Sequence, residues 1–194
     1  MATKKKKKQR WTFVVVVVCL LLLIFIFGMK AFRNEKEQVN DVNAFIETLA
    51  PEAEKLQQQY HVPASITLAQ AILESDFGKS ELSAKYHNLF GVKASLWQPH
   101  VTLETKEYED GVWKTIKARF RVYPSWNASL KDHARLIAQG TDSNARQYEA
   151  VLRANNYYEA AQALQDGGYA TDPAYANKLI NVIETYHLDR FDTQ

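Results

Sequence analysis

The chain has 194 residues, enough for one folded domain with accessories, and a formal net charge of +2. The charge is unevenly placed: residues 1–33 carry eight Lys and Arg and no acid, which leaves 16 basic against 22 acidic residues in 34–194. A folded part with an acidic excess lacks the electrostatic footprint of a nucleic-acid binder, and a single cysteine, Cys19, excludes an intramolecular disulfide.

Residues 1–10 form a basic tail, with Lys4 to Lys8 and Arg10. Trp11 to Met29 follow, 19 residues without a charge. As a helix this run is roughly 28 Å long, close to the ~30 Å hydrocarbon core of a bilayer. The positive-inside rule puts the basic tail in the cytoplasm and the rest of the chain outside. Trp11 stands where an interfacial aromatic is expected. A cleaved signal peptide is the rival, but Phe27-Gly28-Met29-Lys30-Ala31-Phe32-Arg33 makes a poor cleavage site. The expectation is an uncleaved single-pass anchor over 11–29. Cys19, in mid-run after a valine, reads as an apolar thiol in that helix rather than a lipidation site.

Residues 30–42 read as a linker and 43–194 as one domain. Two helical patches open it, at about 41–50 and 51–60, with Pro51 in the first turn of the second. A third helix runs to about Ser75, with Ser65 as its expected N-cap, and stops near Gly78. Residues 101–109 and 112–122 alternate in β-formers around Asp110-Gly111, a hairpin signal. Helices resume at about 126–139, 144–154, 157–166 and 173–187. Gly167-Gly168 closes one, and Asp172-Pro173 opens the last. Helices, one hairpin and helices again make an α+β domain, mostly α, with a small β lobe.

On a wheel of 100° per residue, Ile66, Leu68, Ala69, Ala71, Ile72 and Leu73 cover most of the third helix. Thr67, Gln70 and Glu74 share a stripe about 60° wide. A helix apolar nearly all round is a buried one, so its polar stripe faces a partner or a cleft. Glu74 ends that stripe among apolar neighbours. Desolvation there disfavours its charged form, which suits a general acid that must hold a proton near neutrality. On the helix pattern alone, a structural Glu bonded to a Lys, Arg or backbone donor stands ahead of the catalytic reading.

Larger blocks change that balance. Ile66-Thr67-Leu68-Ala69-Gln70-Ala71-Ile72-Leu73-Glu74-Ser75-Asp76-Phe77-Gly78-Lys79-Ser80 resembles the catalytic-helix motif of the glucosaminidases of glycoside hydrolase family 73. Four further blocks match that family in order. They are Asn88 to Lys93, Thr105 to Tyr108 with Gly111, Phe120 to Ser125 with Ser129 to His133, and Gly168 to Leu179. The resemblance covers roughly 43–188. It implies a lysozyme-like fold, cleavage of the β-1,4 bond after N-acetylglucosamine in peptidoglycan glycan strands, and Glu74 as general acid. Asp76-Phe77 departs from the family's usual Gly-Trp.

In the same family a β-lobe Glu is the usual second carboxylate, and here Glu107 matches it. A two-residue turn at Asp110-Gly111 pairs Glu107 with Lys114, so a cross-strand ion pair is the structural alternative. Glu104 falls on the opposite face of the strand. Tyr169 and Tyr175 are candidates for the sugar groove, Tyr175 leaning towards core packing. Asn88 and Phe90 either contact substrate or shape the loop before the β lobe. Asp172 reads as a cap.

His61, His87, His100, His133 and His187 show no metal-site spacing, and no phosphate loop or serine-nucleophile motif occurs. The expectation is no metal and no cofactor. The alternatives are a muramidase or lytic transglycosylase on the same fold, a non-catalytic wall-binding module, and a membrane-tethered scaffold. The short linker suggests work on new strands near the membrane or at daughter-cell separation. No cell-wall or division protein is singled out as a partner.

Overall fold

The computed structural model describes residues 40–109 and 112–192. The expected span at 11–29 and the Asp110-Gly111 turn lie outside them. Among the described residues no helix is long and apolar enough to cross a membrane. The chain divides into two units, Met1–Ala44 and Phe45–Gln194. In the first, residues 40–44 are described and are helical. Everything below concerns the second.

Its first helix, α1, covers residues 45–60. It is unbroken at Pro51, where the sequence suggested two patches. Phe45, Ile46, Leu49, Ala53 and Leu56 are buried on both sides of the proline, so one continuous apolar stripe outweighs the lost backbone donor, and Pro51 itself faces outward.

Helix α2 (Ala64–Ser75) buries ten of its twelve residues, all but Leu73 and Glu74. Its N-cap is Pro63 rather than the expected Ser65. Ser65 instead reaches across the domain, where its N–H and Oγ both bond the Asp192 carboxylate, at 2.8 and 2.6 Å. The Ala64 N–H goes to Gln57 Oε1 at 2.7 Å. Side chains from α1 and from the end of the domain thus satisfy the first two N–H groups of α2, and Asp192 sets a negative charge against the positive end of its dipole.

The far end of α2 is closed by three successive left-handed residues, Asp76, Phe77 and Gly78, with φ of 51°, 55° and 75°. The Asp76 and Phe77 N–H groups return to Ile72 O, and Gly78 N–H donates to Ser75 Oγ at 2.7 Å. A short helix that the sequence reading missed, α3 (Glu81–Tyr86), follows with Ser80 as its cap. Six residues are too few to carry a readable apolar period.

Strands β1 (His100–Glu109) and β2 (Val112–Arg121) form one antiparallel ladder. Glu107 pairs with Lys114, the expected register. Helices α4 (Trp126–Gln139) and α6 (Tyr157–Asp166) fall where the pattern puts them, capped by Ser125 and Asn156. Helix α5 (Glu149–Leu152) is one turn rather than the expected 144–154. Helix α7 (Tyr175–Tyr186) starts two residues after Pro173, and a 3-10 turn, Leu188–Phe191, ends the domain. Asp172 receives the Ala174 N–H at 2.9 Å and pairs with Lys178. Helix α2 packs against α6, α7 and the 3-10 turn. The result is a mostly helical domain around α2 with a two-stranded lobe.

At Gly78 an added Cβ would stand 2.6 Å from Phe45 Cε2 and 3.0 Å from Trp126, on a backbone that disfavours any side chain. Gly78→Ala is therefore expected to destabilise the domain by about 1–3 kcal/mol, read from the urea midpoint.

Candidate active site

The polar stripe of α2 runs from the core to the surface. Thr67 and Gln70 are buried, while Glu74 is exposed. Gln70 Nε2 donates to the Tyr175 hydroxyl at 3.0 Å, and that hydroxyl donates to Glu74 Oε1 at 3.1 Å. Glu74 is thus open on one side and closed in by protein on the others. Desolvation raises its pKa above 4.5, and the bond from Tyr175 reverses part of that.

Tyr175 comes from the first turn of α7 and is buried. Burial first, then the nearby Glu74 charge, push its pKa up, so it stays a donor. Its ring stacks on Tyr169 at 5.6 Å and 21°. Tyr169 meets His133 edge-on at 5.8 Å, and His133 lies flat on Phe90 at 3.9 Å and 15°. Four rings from four parts of the chain make one wall that ends at Glu74. His133 is buried, and that burial takes its pKa down to about 3 against the opposing pull of Asp132. Neither ring nitrogen has a hydrogen-bond partner among the described residues. The imidazole is neutral. Tyr169 is held protonated in the same way: burial raises its pKa, and its neighbours Tyr175 and Glu74 add to the effect.

The structure therefore brings Glu74, Tyr175, Tyr169 and Phe90 together. Tyr175 is both buried, as the core reading had it, and bonded to Glu74. Asn88 is used differently. Its Nδ2 donates to Val92 O and Arg121 O, each at 2.9 Å, and its Oδ1 accepts from Val92 N at 3.0 Å and Phe90 N at 3.4 Å. Both donor hydrogens and both acceptor positions are engaged in shaping the loop that presents Phe90.

Glu107 stands on β1 opposite Lys114, three rungs beyond Glu104 and Lys117. Asp76 is exposed at the end of α2. Among the described residues no group of three or more His, Cys, Asp or Glu is placed to hold a metal. Two members of the site were not singled out by sequence reasoning. Gln70 was legible only as part of the polar stripe, and His133 only as a member of a matching block. Chemically, the cluster offers one carboxyl biased towards its protonated form, beside a hydroxyl donor and an apolar face.

Comparison with known proteins sets this geometry among relatives. Residues 50–188 match the glucosaminidase family, described as mannosyl-glycoprotein endo-beta-N-acetylglucosaminidase. The chain is 52% identical over 158 residues to the exo-glucosaminidase LytG of Bacillus subtilis, covering 81% of this chain and 56% of that protein. It is 42% identical over 155 residues to a "Probable N-acetylmuramidase" of Lactococcus lactis, covering 79% of this chain and 35% of that one. The chain thus spans about half the length, or less, of these relatives. Among solved structures, the catalytic domain of the autolysin Auto of Listeria monocytogenes superposes with a TM-score of 0.74 at 39% identity, over 78% of this chain and 88% of that domain. A C-terminally truncated glycoside hydrolase domain of FlgJ from Salmonella typhimurium superposes at 0.61 and 38%, over 75% and 97%.

The Glu74 environment has a consequence for stability. A carboxyl whose folded pKa is raised favours folding while protonated, and loses that contribution as pH rises through the folded value. Glu74→Gln keeps an acceptor for Tyr175 but cannot ionise. It is expected to match the parent below the ordinary carboxylate value of 4.5 and to melt at a higher temperature than the parent at neutral pH. Thermal midpoints measured from acid to neutral pH check this.

Proposed function

The chain belongs to the glucosaminidase family, and from that premise we propose that it hydrolyses the β-1,4 bond after N-acetylglucosamine in peptidoglycan glycan strands. Glu74 gives its proton to the leaving oxygen. The observation that carries this reading is the desolvated Glu74 carboxyl at the open end of a buried helix, with its Oε1 held by Tyr175. A general acid needs a raised pKa and a fixed aim; desolvation moves Glu74 towards the first and the Tyr175 bond supports the second.

The rings of Tyr169 and Phe90 are placed to serve the apolar face of a sugar, and their position beside Glu74 supports that role. Glu107 remains the candidate second carboxylate by resemblance. If it is not used, the substrate's own N-acetyl group takes its place.

A second reading is muramidase action, cutting on the other side of the disaccharide. The 42% identity to a "Probable N-acetylmuramidase" favours it. The sugar at the new reducing end separates the two.

The run at 11–29 completes the proposal. It tethers the enzyme as a single membrane span with the basic tail inside and the domain on the wall side. The tether keeps the site near newly made glycan.

Purified peptidoglycan digested by the full-length chain should gain reducing N-acetylglucosamine ends. Glu74→Gln should lower the rate by about 10²–10⁴-fold. Muramic reducing ends would transfer the proposal to the second reading, and anhydromuramic ends to transglycosylation. Release of single units from strand ends, rather than internal cuts, would match the exo action named for LytG. In cells, the full-length chain should sediment with membranes and resist high-salt extraction. A variant lacking residues 1–33 should not, and salt release of the full-length chain would overturn the tether.

A further inference from the structure

We infer that Gln70 is a positioning residue for the acid. By donating to the Tyr175 hydroxyl it directs that hydroxyl's single hydrogen to Glu74 Oε1, so the proton that Glu74 delivers is carried on Oε2. This rests on the reading of Glu74 as general acid.

The direction of the chain follows from its members. An amide nitrogen only donates, and Gln70 Nε2 lies 3.0 Å from the Tyr175 oxygen. With that lone pair taken, the hydroxyl hydrogen turns to Glu74 Oε1 at 3.1 Å. A proton on Oε1 would then face a second hydrogen across the same contact. The carboxyl proton therefore sits on Oε2, the oxygen with no bond to Tyr175.

Packing gives no other reason for the glutamine. Gln70 is fully buried, and its Oε1 has no partner among the described residues, nor has Oγ1 of Thr67 one turn away. An unpaired buried acceptor costs stability that an apolar side chain of the same length would not. What the amide achieves in return is the bond to Tyr175. The tyrosine ring is fixed independently by its stack on Tyr169. The ionisable groups of the wall are Tyr175 from α7, Tyr169 from the connection between α6 and α7, and His133 from α4, with Tyr148 before α5 behind them. The charges of the 3-10 turn and of Asp192 belong to the opposite end of α2, at Ser65. Among the described residues no cation contributes to the shift at Glu74, so the hydroxyl bond is the one influence there that favours the carboxylate.

The test uses the full-length chain in detergent, with Gln70→Met, Tyr175→Phe and the double variant. Gln70→Met should melt at or above the parent temperature, because it removes an unpaired buried group. Its kcat should fall about tenfold with KM within about twofold, since only the aim of the proton changes. The alkaline limb of the pH–rate profile should move to higher pH in Tyr175→Phe, which loses the bond that favours the carboxylate. It should move less in Gln70→Met, where the bond is weakened. Gln70→Met should add nothing in the Tyr175→Phe background. The carboxyl carbon-13 titration of Glu74, assigned with Glu74→Gln, should shift the same way and reads the bond without reference to catalysis.

A parent-like kcat, limb and titration in Gln70→Met overturn the proposal. So does an equal loss of kcat in the Tyr175→Phe background, which would make Gln70 a packing residue. Parent-like activity in Glu74→Gln together with shifted titrations would instead sink the acid reading and leave the bond chain standing, so the two failures are distinguishable.

Discussion

The domain depends on the burial of α2. Ten of its twelve residues are shut away from water, and Glu74 is one of the two that are not. A helix that apolar can exist only if other elements cover it, and α6, α7 and the 3-10 turn do so. Its ends are fixed as firmly as its sides, by Asp192 and Gln57 at the start and by three left-handed residues at the finish. Each added or lost residue would turn the helix by about 100° and carry Glu74 off the open stripe. The aim of the carboxyl is thus set by the whole core.

The electrostatics of the site follow from the same burial. Its wall contains Phe90, His133, Tyr169 and Tyr175, and burial holds the three titratable rings neutral. A neutral wall cannot stabilise a carboxylate as a lysine or arginine would. The proton on Glu74 is therefore favoured by what the site leaves out as much as by what it contains. Arg121 is near in the chain to the wall, but its charge is taken up by Asp132, which also accepts from Tyr123 at 2.7 Å. That cluster ties the end of β2 to α4.

How much of this is legible in the sequence follows the physical strength of each signal. The hairpin register and the extents of α4 and α6 are legible because alternation, caps and apolar period agree there. The buried character of α2 and the exit of Glu74 from it can be read from the wheel. Ser65 has the local pattern of a cap, but its partner, Asp192, lies 127 residues away and no local pattern announces it. Pro51 has the local pattern of a helix start, but long-range burial of Phe45 to Leu56 overrides a local breaker. Tyr175 poses a choice between core and groove; the structure buries its ring and bonds its hydroxyl to Glu74. The hydrogen bonds of Asn88 explain why its block has a fixed spacing: one amide bridges Phe90, Val92 and Arg121.

The two carboxylates of the resemblance are held by different means. Glu74 is fixed by packing on a buried helix. Glu107 is six rungs beyond the Val101 and Phe120 pair, roughly 20 Å along the hairpin at the usual rise per residue. Phe120 is buried and bridged to Lys93, so the base of the hairpin is part of the domain. Farther out, β1 and β2 pack chiefly on each other. The position of Glu107 is therefore a matter of ladder register and twist, where a slip of one residue would move it to the other face. A reaction using the substrate's N-acetyl group asks nothing of those outer rungs. A reaction using Glu107 asks that they hold a carboxylate opposite Glu74 across a bound sugar. Whether the proposed reaction needs one protein carboxylate or two is thus a question about the hairpin, because the helical core already fixes the place of Glu74.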